Sequence, residues 1–279
     1  MANLHSTPRL RRLALRLTKR SLITLAVLAI IGASLYYFFS TRGITYIWHW
    51  EKMPQLLFYH GPKSAEDAVP RLRMGVLMIG FMLTLKISIF SIFFAIIIGT
   101  IVGICRLSDE PVTRLLSISY VELIRNTPLL VQIYIIYFFV GSLLRLSAFT
   151  AGTAALSIFA GAYVGEIVRA GIQSIERGQM EAARSLGMGY AQAMRYIILP
   201  QAFKRIIPPL AGQFISLIKD SSLVSVIALA DLMFQGQQAV ARTYYAFEIY
   251  FTVAFLYLVM TASLSMATQY IERRLAISD

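Results

Sequence analysis

Lys219 and Asp220 stand side by side in an otherwise apolar stretch that runs from about Ile206 to Leu229. An ionisable residue at membrane depth costs about 2.5–3.5 kcal/mol on insertion scales, so it faces a partner or a water-filled path. Helix neighbours point about 100° apart, so these two pair poorly with one another unless the helix is broken. Each then needs its own partner or a polar lumen. An acid and a base at one level match the ammonium and carboxylate of an α-amino acid. The alternative is a structural pair with another helix or with a second subunit. Ser221 and Ser222 add hydroxyls that can bond a ligand or satisfy a locally opened backbone.

A second charged group crowds the first half of the apolar stretch Ser117 to Leu144: Glu122, Arg125, Asn126, Thr127 and Pro128. Glu122 and Arg125, three apart, can face each other on a helix. Pro128 removes a helix hydrogen bond and leaves carbonyls in need of partners, and broken helices near the bilayer midplane often line transport sites. The competing reading is an ion pair at a kinked helix start. Glu166 and Arg169 repeat the i, i+3 spacing at the end of another apolar run, where they are expected to anchor the loop that follows. His49 and His60 lack a third ligand at useful spacing. The single cysteine, Cys105, excludes an intrachain disulfide and a cysteine metal cluster. No Gly-x4-Gly-Lys-Ser/Thr string occurs, so the chain carries no phosphate-binding loop of that type.

These residues must be carried by membrane spans. The chain is 57% hydrophobic and 14% charged over 279 residues, too apolar for an ordinary soluble domain, and several runs reach the roughly 20 residues that span a bilayer as a helix. Six spans are predicted, at Leu22–Phe39, Met74–Ile104, Ser117–Leu144, Phe149–Val168, Ile206–Leu229 and Phe247–Tyr270, which makes the class an all-α polytopic membrane protein. Residues 1–20 form a basic N-terminus, and 21–39 an uncleaved first helix rather than a signal peptide, because the run ends in Tyr36-Tyr-Phe-Phe39 instead of a small-x-small site. Residues 40–73 read as an external loop with an interfacial, Trp-bearing segment, and 74–279 as the core. With both termini in the cytoplasm, inner segments carry sixteen Lys/Arg against seven outside, the asymmetry that orients membrane proteins. The net charge of +12 therefore belongs to membrane loops. No basic face interleaved with aromatics suggests nucleic acid.

The longest polar interruption, at about 169–205, is expected in the cytoplasm. Glu181-Ala182-Ala183 and Arg184 suit one short helix, and Gly187 suits its C-terminal stop. Tyr190 to Leu199 suits a second short helix, which Pro200 is expected to end or kink. Alanines let another backbone approach closely, while Glu181, Arg184 and Arg195 offer polar contacts.

The string Gly178-Gln-Met-Glu-Ala-Ala183 with Gly187, Ile197 and Leu199-Pro200 resembles the EAA loop of permease subunits in bacterial ATP-binding-cassette importers. Further stretches resemble their polar amino acid branch: Thr84-Leu-Lys-Ile-Ser88, Tyr120-Val-Glu-Leu-Ile-Arg-Asn-Thr-Pro-Leu-Leu130, Ala162-Tyr-Val-Gly-Glu-Ile-Val-Arg169, Leu199-Pro-Gln-Ala202, Pro208-Pro209 and Lys219-Asp-Ser-Ser-Leu223. The resemblance runs from about Gly80 to the end and leaves residues 1–73 unexplained. It implies a type I importer permease fold in the bacterial inner membrane. It also implies a coupling helix around Glu181–Gly187 that docks into an ATPase, with Leu199 and Pro200 closing the loop. The implied partners are a second permease subunit, two ATPase subunits that hold ATP and Mg, and an extracytoplasmic amino-acid-binding protein. No cofactor is implied on this chain, and no covalent chemistry. A secondary transporter or channel for small polar solutes is the competing function, and a membrane scaffold a third.

Overall fold

In a bilayer no water is available for backbone N–H and C=O groups, so an apolar chain closes its hydrogen bonds within itself. That requirement overrides the modest helix propensity of runs such as Ile87-Ser-Ile-Phe-Ser91, and the described residues are helical almost throughout. The computed structural model describes residues 46–61 and 71–276, together with most of 26–37. The described residues among 26–37 are helical. The rest of the predicted first span, like the basic N-terminus, lies outside the described residues.

From His49 onward the elements begin with a 3-10 turn, Trp50–Lys52, and helix α1, Met53–Leu57. An antiparallel hairpin follows, β1 Phe58–Gly61 on β2 Arg71–Met74, a small departure from an all-α chain. Then come α2 Val76–Cys105, α3 Pro111–Arg125, α4 Leu129–Leu144 with a π-helical stretch at Ile135–Gly141, and α5 Ala148–Gln173. The short polar α6 is Arg177–Ser185, and α7 runs Tyr190–Ile227. Helices α8, Leu232–Thr243, and α9, Ala246–Ala276, complete the order.

Four of these are long and apolar enough to cross a membrane: α2, α5, α7 and α9 within Ala246–Tyr270. The predicted third span is two helices, α3 and α4, bent by 105° at Asn126–Pro128. The predicted fifth span starts earlier than expected. Pro200 does not end a helix there, because a π turn over Met194–Ile198 re-registers the hydrogen bonds just ahead of it. Tyr190–Leu199 is therefore the first part of α7 and not a separate helix, and α6 alone fills the loop. The segment 230–246, which separates the predicted fifth and sixth spans, contains α8.

The core gathers around α5, the most buried span. It runs alongside α2 in the same direction, with glycines at the contact: a Cβ on Gly99 would lie 2.8 Å from the Gly161 carbonyl oxygen, and one on Gly103 would lie 2.8 Å from that of Gly165. Lipid is as apolar as leucine, so close backbone approach is what holds membrane helices together. The Gly99/Gly103 pair is legible in the sequence; its partner pair on α5 is identified only by the packing. A second cluster joins Met53, Leu77, Leu232, Ile249 and Val253, and so packs α1 and α8 against the first turns of α2 and α9. Glu248, fully buried, accepts the His49 N–H at 2.7 Å, and the His49 ring stacks on Tyr245 at 4.4 Å.

Candidate functional site

Lys219 and Ser222 open onto a cavity of about 300 Å³ whose other walls are Met233 of α8 and Tyr250, Val253, Ala254 and Tyr257 of α9. The arrangement follows from a change of helix type. At Asp220 the α-helical part of α7 ends, and Ser221–Ile227 continues as a 3-10 helix, which turns 120° per residue instead of 100°. The backbone tightens rather than opens. Lys219 and Ser222, three apart, thus share a face. Ser221 is fully buried and does not line the cavity, and its hydroxyl donates to the Ile218 carbonyl at 2.7 Å. Asp220 is half-buried and does not line the cavity. The four-residue set read from the sequence is split, with two residues lining the cavity and two that do not.

Behind the cavity wall lies a residue the sequence reading passed over. Asp231 is fully buried and caps α8, accepting the Phe234 N–H at 2.9 Å, while the Tyr257 hydroxyl stands 3.5 Å from its other oxygen. Burial pushes its carboxyl up to about 6, against the pull of the Phe234 and Met233 N–H groups. An aspartate immediately before Leu232-Met-Phe is a recognisable cap signal. Tyr257, inside an apolar run, carries no signal.

The break between α3 and α4 is closed internally. Thr127 donates to the Leu123 carbonyl at 2.9 Å, and the buried Gln132 amide donates to the Ile124 carbonyl at 2.8 Å and to Thr127 Oγ1 at 2.7 Å. The Ile124 carbonyl thus finds its partner in Gln132 of the next turn, and the Leu123 carbonyl in Thr127 just ahead of Pro128. Glu122 and Arg125 are not an ion pair. Asn126 donates to Glu122 at 3.0 Å, and the Arg125 guanidinium lies 5.1 Å from the centre of the Tyr163 ring. None of Glu122, Arg125 and Thr127 lines the Lys219 cavity.

Beyond the C-terminal end of α5 the loop carries a well-defined helix stop. Met188 N–H bonds the Ala183 carbonyl at 3.2 Å and Gly187 N–H the Arg184 carbonyl at 3.0 Å, the two bonds of a Schellman stop, with Gly187 at φ +83°. Ala183 is the buried residue of α6. Glu181, Ala182 and Arg184 are exposed, as is Leu186, at 82%. Leu199 is half-buried and Pro200 exposed on the adjoining turn of α7. Glu166 pairs with Arg169, as its spacing implies, and also with Arg106 from the end of α2. That second partner lies 60 residues away and has no local signal.

A lysine facing a cavity within a helical membrane bundle is expensive unless something binds or passes there. With several apolar spans around it and an exposed polar helix between two of them, the arrangement fits the class of membrane transport permeases. Residues 91–277 match the family described as the binding-protein-dependent transport system inner membrane component, and the chain belongs to that family. It is 45% identical to the probable glutamine ABC transporter permease protein GlnM of Bacillus subtilis, over 71% of this chain and 92% of that one. It is 38% identical to the arginine transport system permease protein ArtQ of the same organism, over 72% and 92%. Among solved structures it resembles an amino acid ABC transporter described with histidines, at 43% identity and TM-score 0.67, over 71% of this chain and 94% of that one. The chain is a multi-pass permease subunit of an ATP-binding-cassette transporter in the inner membrane.

Proposed function

We propose that this permease imports a polar amino acid delivered by an extracytoplasmic binding protein, with ATP and Mg held by two separate ATPase subunits. The observation that carries the substrate class is Lys219 facing the cavity beside Ser222 and two tyrosines, joined to relatives named for glutamine and arginine transport. Lys219 offers a cation to a carboxylate, and the Ser222, Tyr250 and Tyr257 hydroxyls offer hydrogen bonds to either end of an amino acid. The exposed α6 face, with Glu181, Ala182 and Arg184 and the Gly187 stop, is the ATPase-docking surface, and Leu199 and Pro200 flank it. A second permease subunit, identical or homologous, completes the membrane part.

Uptake of labelled glutamine and of labelled arginine into liposomes containing the assembled complex tests this reading. ATP-dependent uptake of either supports it; uptake that persists without the ATPase subunits places the protein among secondary transporters. Orientation is part of the same proposal: α6 and both termini face the cytoplasm. In a Cys105→Ser background, Lys52→Cys should react with an impermeant thiol reagent in intact cells, and Ser185→Cys should react only after permeabilisation. Labelling of Ser185→Cys from outside would invert the topology.

A further inference from the structure

The polar contacts at the loop end fall into three groups that together join α2, α5, α6 and α7. One oxygen of the Glu166 carboxylate takes Arg106 at the end of α2, and the other takes Arg169, through Nη2 and through Nε at 3.2 Å. Arg169 reaches on to Gln173. Arg205 of α7 donates to the Ser174 carbonyl, and Gln201 of α7 donates to Gln179 of α6 at 3.2 Å. Helix α6 is thus tied to α7 and through its entry turn to α5, and Glu166 extends the tie to α2.

Above that clamp the two spans interlock. With Gly99 and Gly103 against the Gly161 and Gly165 carbonyls, α2 cannot slide along α5 without first separating from it. Toward its other end α2 meets α8 just as closely. A Cβ on Gly80 would lie 2.8 Å from the Asp231 carbonyl oxygen, and Thr84 Oγ1 accepts the Leu232 N–H at 3.0 Å. The next residue of α8, Met233, is a wall of the Lys219 cavity. The spans also differ in stiffness. Helix α2 is α-helical for 30 residues with no proline, whereas α7 contains a π turn, Pro200, Pro208, Pro209 and a 3-10 end, each a point where a helix bends.

We propose that Glu166 is a positioning residue that makes α2 travel with α5, so that displacement of α6 is delivered along α2 to α8 and the wall of the Lys219 cavity. The proposal rests on the reading of the chain as an ATP-driven permease. It assigns the stiff, proline-free span to transmission and leaves the segmented α7 to present Lys219.

Arg106→Gln is the sharpest variant, because it removes the arm to α2 and leaves the Glu166–Arg169 pair in place; Glu166→Gln removes both. In the assembled complex each variant should assemble and hydrolyse ATP at the basal wild-type rate. Substrate moved per ATP should fall about tenfold, within the usual range of a coupling free energy, and Arg106→Lys should restore most of it. A spin-label pair at Gln238→Cys on α8 and Phe255→Cys on α9, with Cys105→Ser, reads the far end directly. The label distance should change with ATP in the otherwise wild-type chain, stay fixed with Arg106→Gln and change again with Arg106→Lys. An unaltered distance change and unaltered transport per ATP in Arg106→Gln would overturn the proposal alone. Loss of assembly in Arg106→Gln and Glu166→Gln alike would overturn it too, reducing the cluster to a folding element. Absence of ATP-driven import in the wild-type complex would overturn the permease reading and this proposal with it.

Discussion

At the loop end Glu166 is shared by Arg106 and Arg169, whereas at the cavity Lys219 has no carboxylate at ion-pair distance among the described residues. Both regions hold charge near apolar helices, but the charges do different work. The shared carboxylate holds two arginines from different helices at once, and such groups favour one arrangement of helices. On the proposed reading, the open lysine keeps its hydrogen-bonding capacity for a substrate that comes and goes. The same division runs through the loop itself. Ala183 packs inward, while Glu181, Arg184 and Leu186 face solvent, as a docking surface requires. The proposed transport cycle uses both: a held end and a vacated one, as alternating access needs.

The comparison breaks most completely at Gly187. Its φ of +83° is closed to proline, whose ring holds φ near −65°, and Gly187→Pro also deletes the N–H that bonds the Arg184 carbonyl. The variant should insert and assemble, because the spans are untouched, yet uptake should vanish. Glu181→Lys, which alters only the exposed face, should do the same. Wild-type uptake in either variant removes α6 from the transport cycle.

Lys219→Met ranks second. It trades an open cation for an apolar side chain of similar length, and uptake should fall by about tenfold or more while complex yield is kept, since no buried partner is stranded. Asp220→Asn should cost less, because Asp220 lies off the cavity wall. Parallel loss of yield and uptake in Lys219→Met would make the cavity end resemble the loop end, a structural charge after all.

How far these two ends were legible depends on how local their causes are. The spans α2, α5 and α9 follow from apolar length alone, the Gly187 stop from a glycine placed after Arg184 and Ser185, and Glu166–Arg169 from i, i+3 spacing. Each is settled within a few residues. Of the two effects expected of Pro200, an ending does not occur: a proline's effect depends on the turn before it, and a π turn at Met194–Ile198 leaves no mark in residue types. The Glu122–Arg125 pairing failed for a related reason: the break at Asn126–Pro128 gave Glu122 a nearer donor in Asn126 and set Arg125 beside Tyr163. Arg106 on Glu166, and Tyr257 beside Asp231, join separate helices and arise only when those helices pack. The cavity, being made of three helices, was the less readable of the two sites.

The smallest effect concerns the cap behind the cavity wall and separates its fixed part from its open part. Asp231 has an ordinary value of 3.8 that burial raises to about 6 in the folded protein. A raised carboxyl means that the folded state holds the proton more tightly than the unfolded one. The stabilisation is therefore complete below pH 3.8 and is lost as pH rises through 6. Purified wild-type protein in detergent should melt a few degrees higher at pH 5 than at pH 7.5, relative to Asp231→Asn measured under the same conditions. The asparagine keeps an oxygen to accept the Phe234 N–H, so the cap survives and only the titration is removed. Lys219, open to the cavity, should be indifferent to this change, and Asp231→Asn should keep its transport near neutral pH. Equal pH dependence in wild type and Asp231→Asn would mean that the cap carboxylate stays ionised across this range, held there by its N–H donors and the Tyr257 hydroxyl.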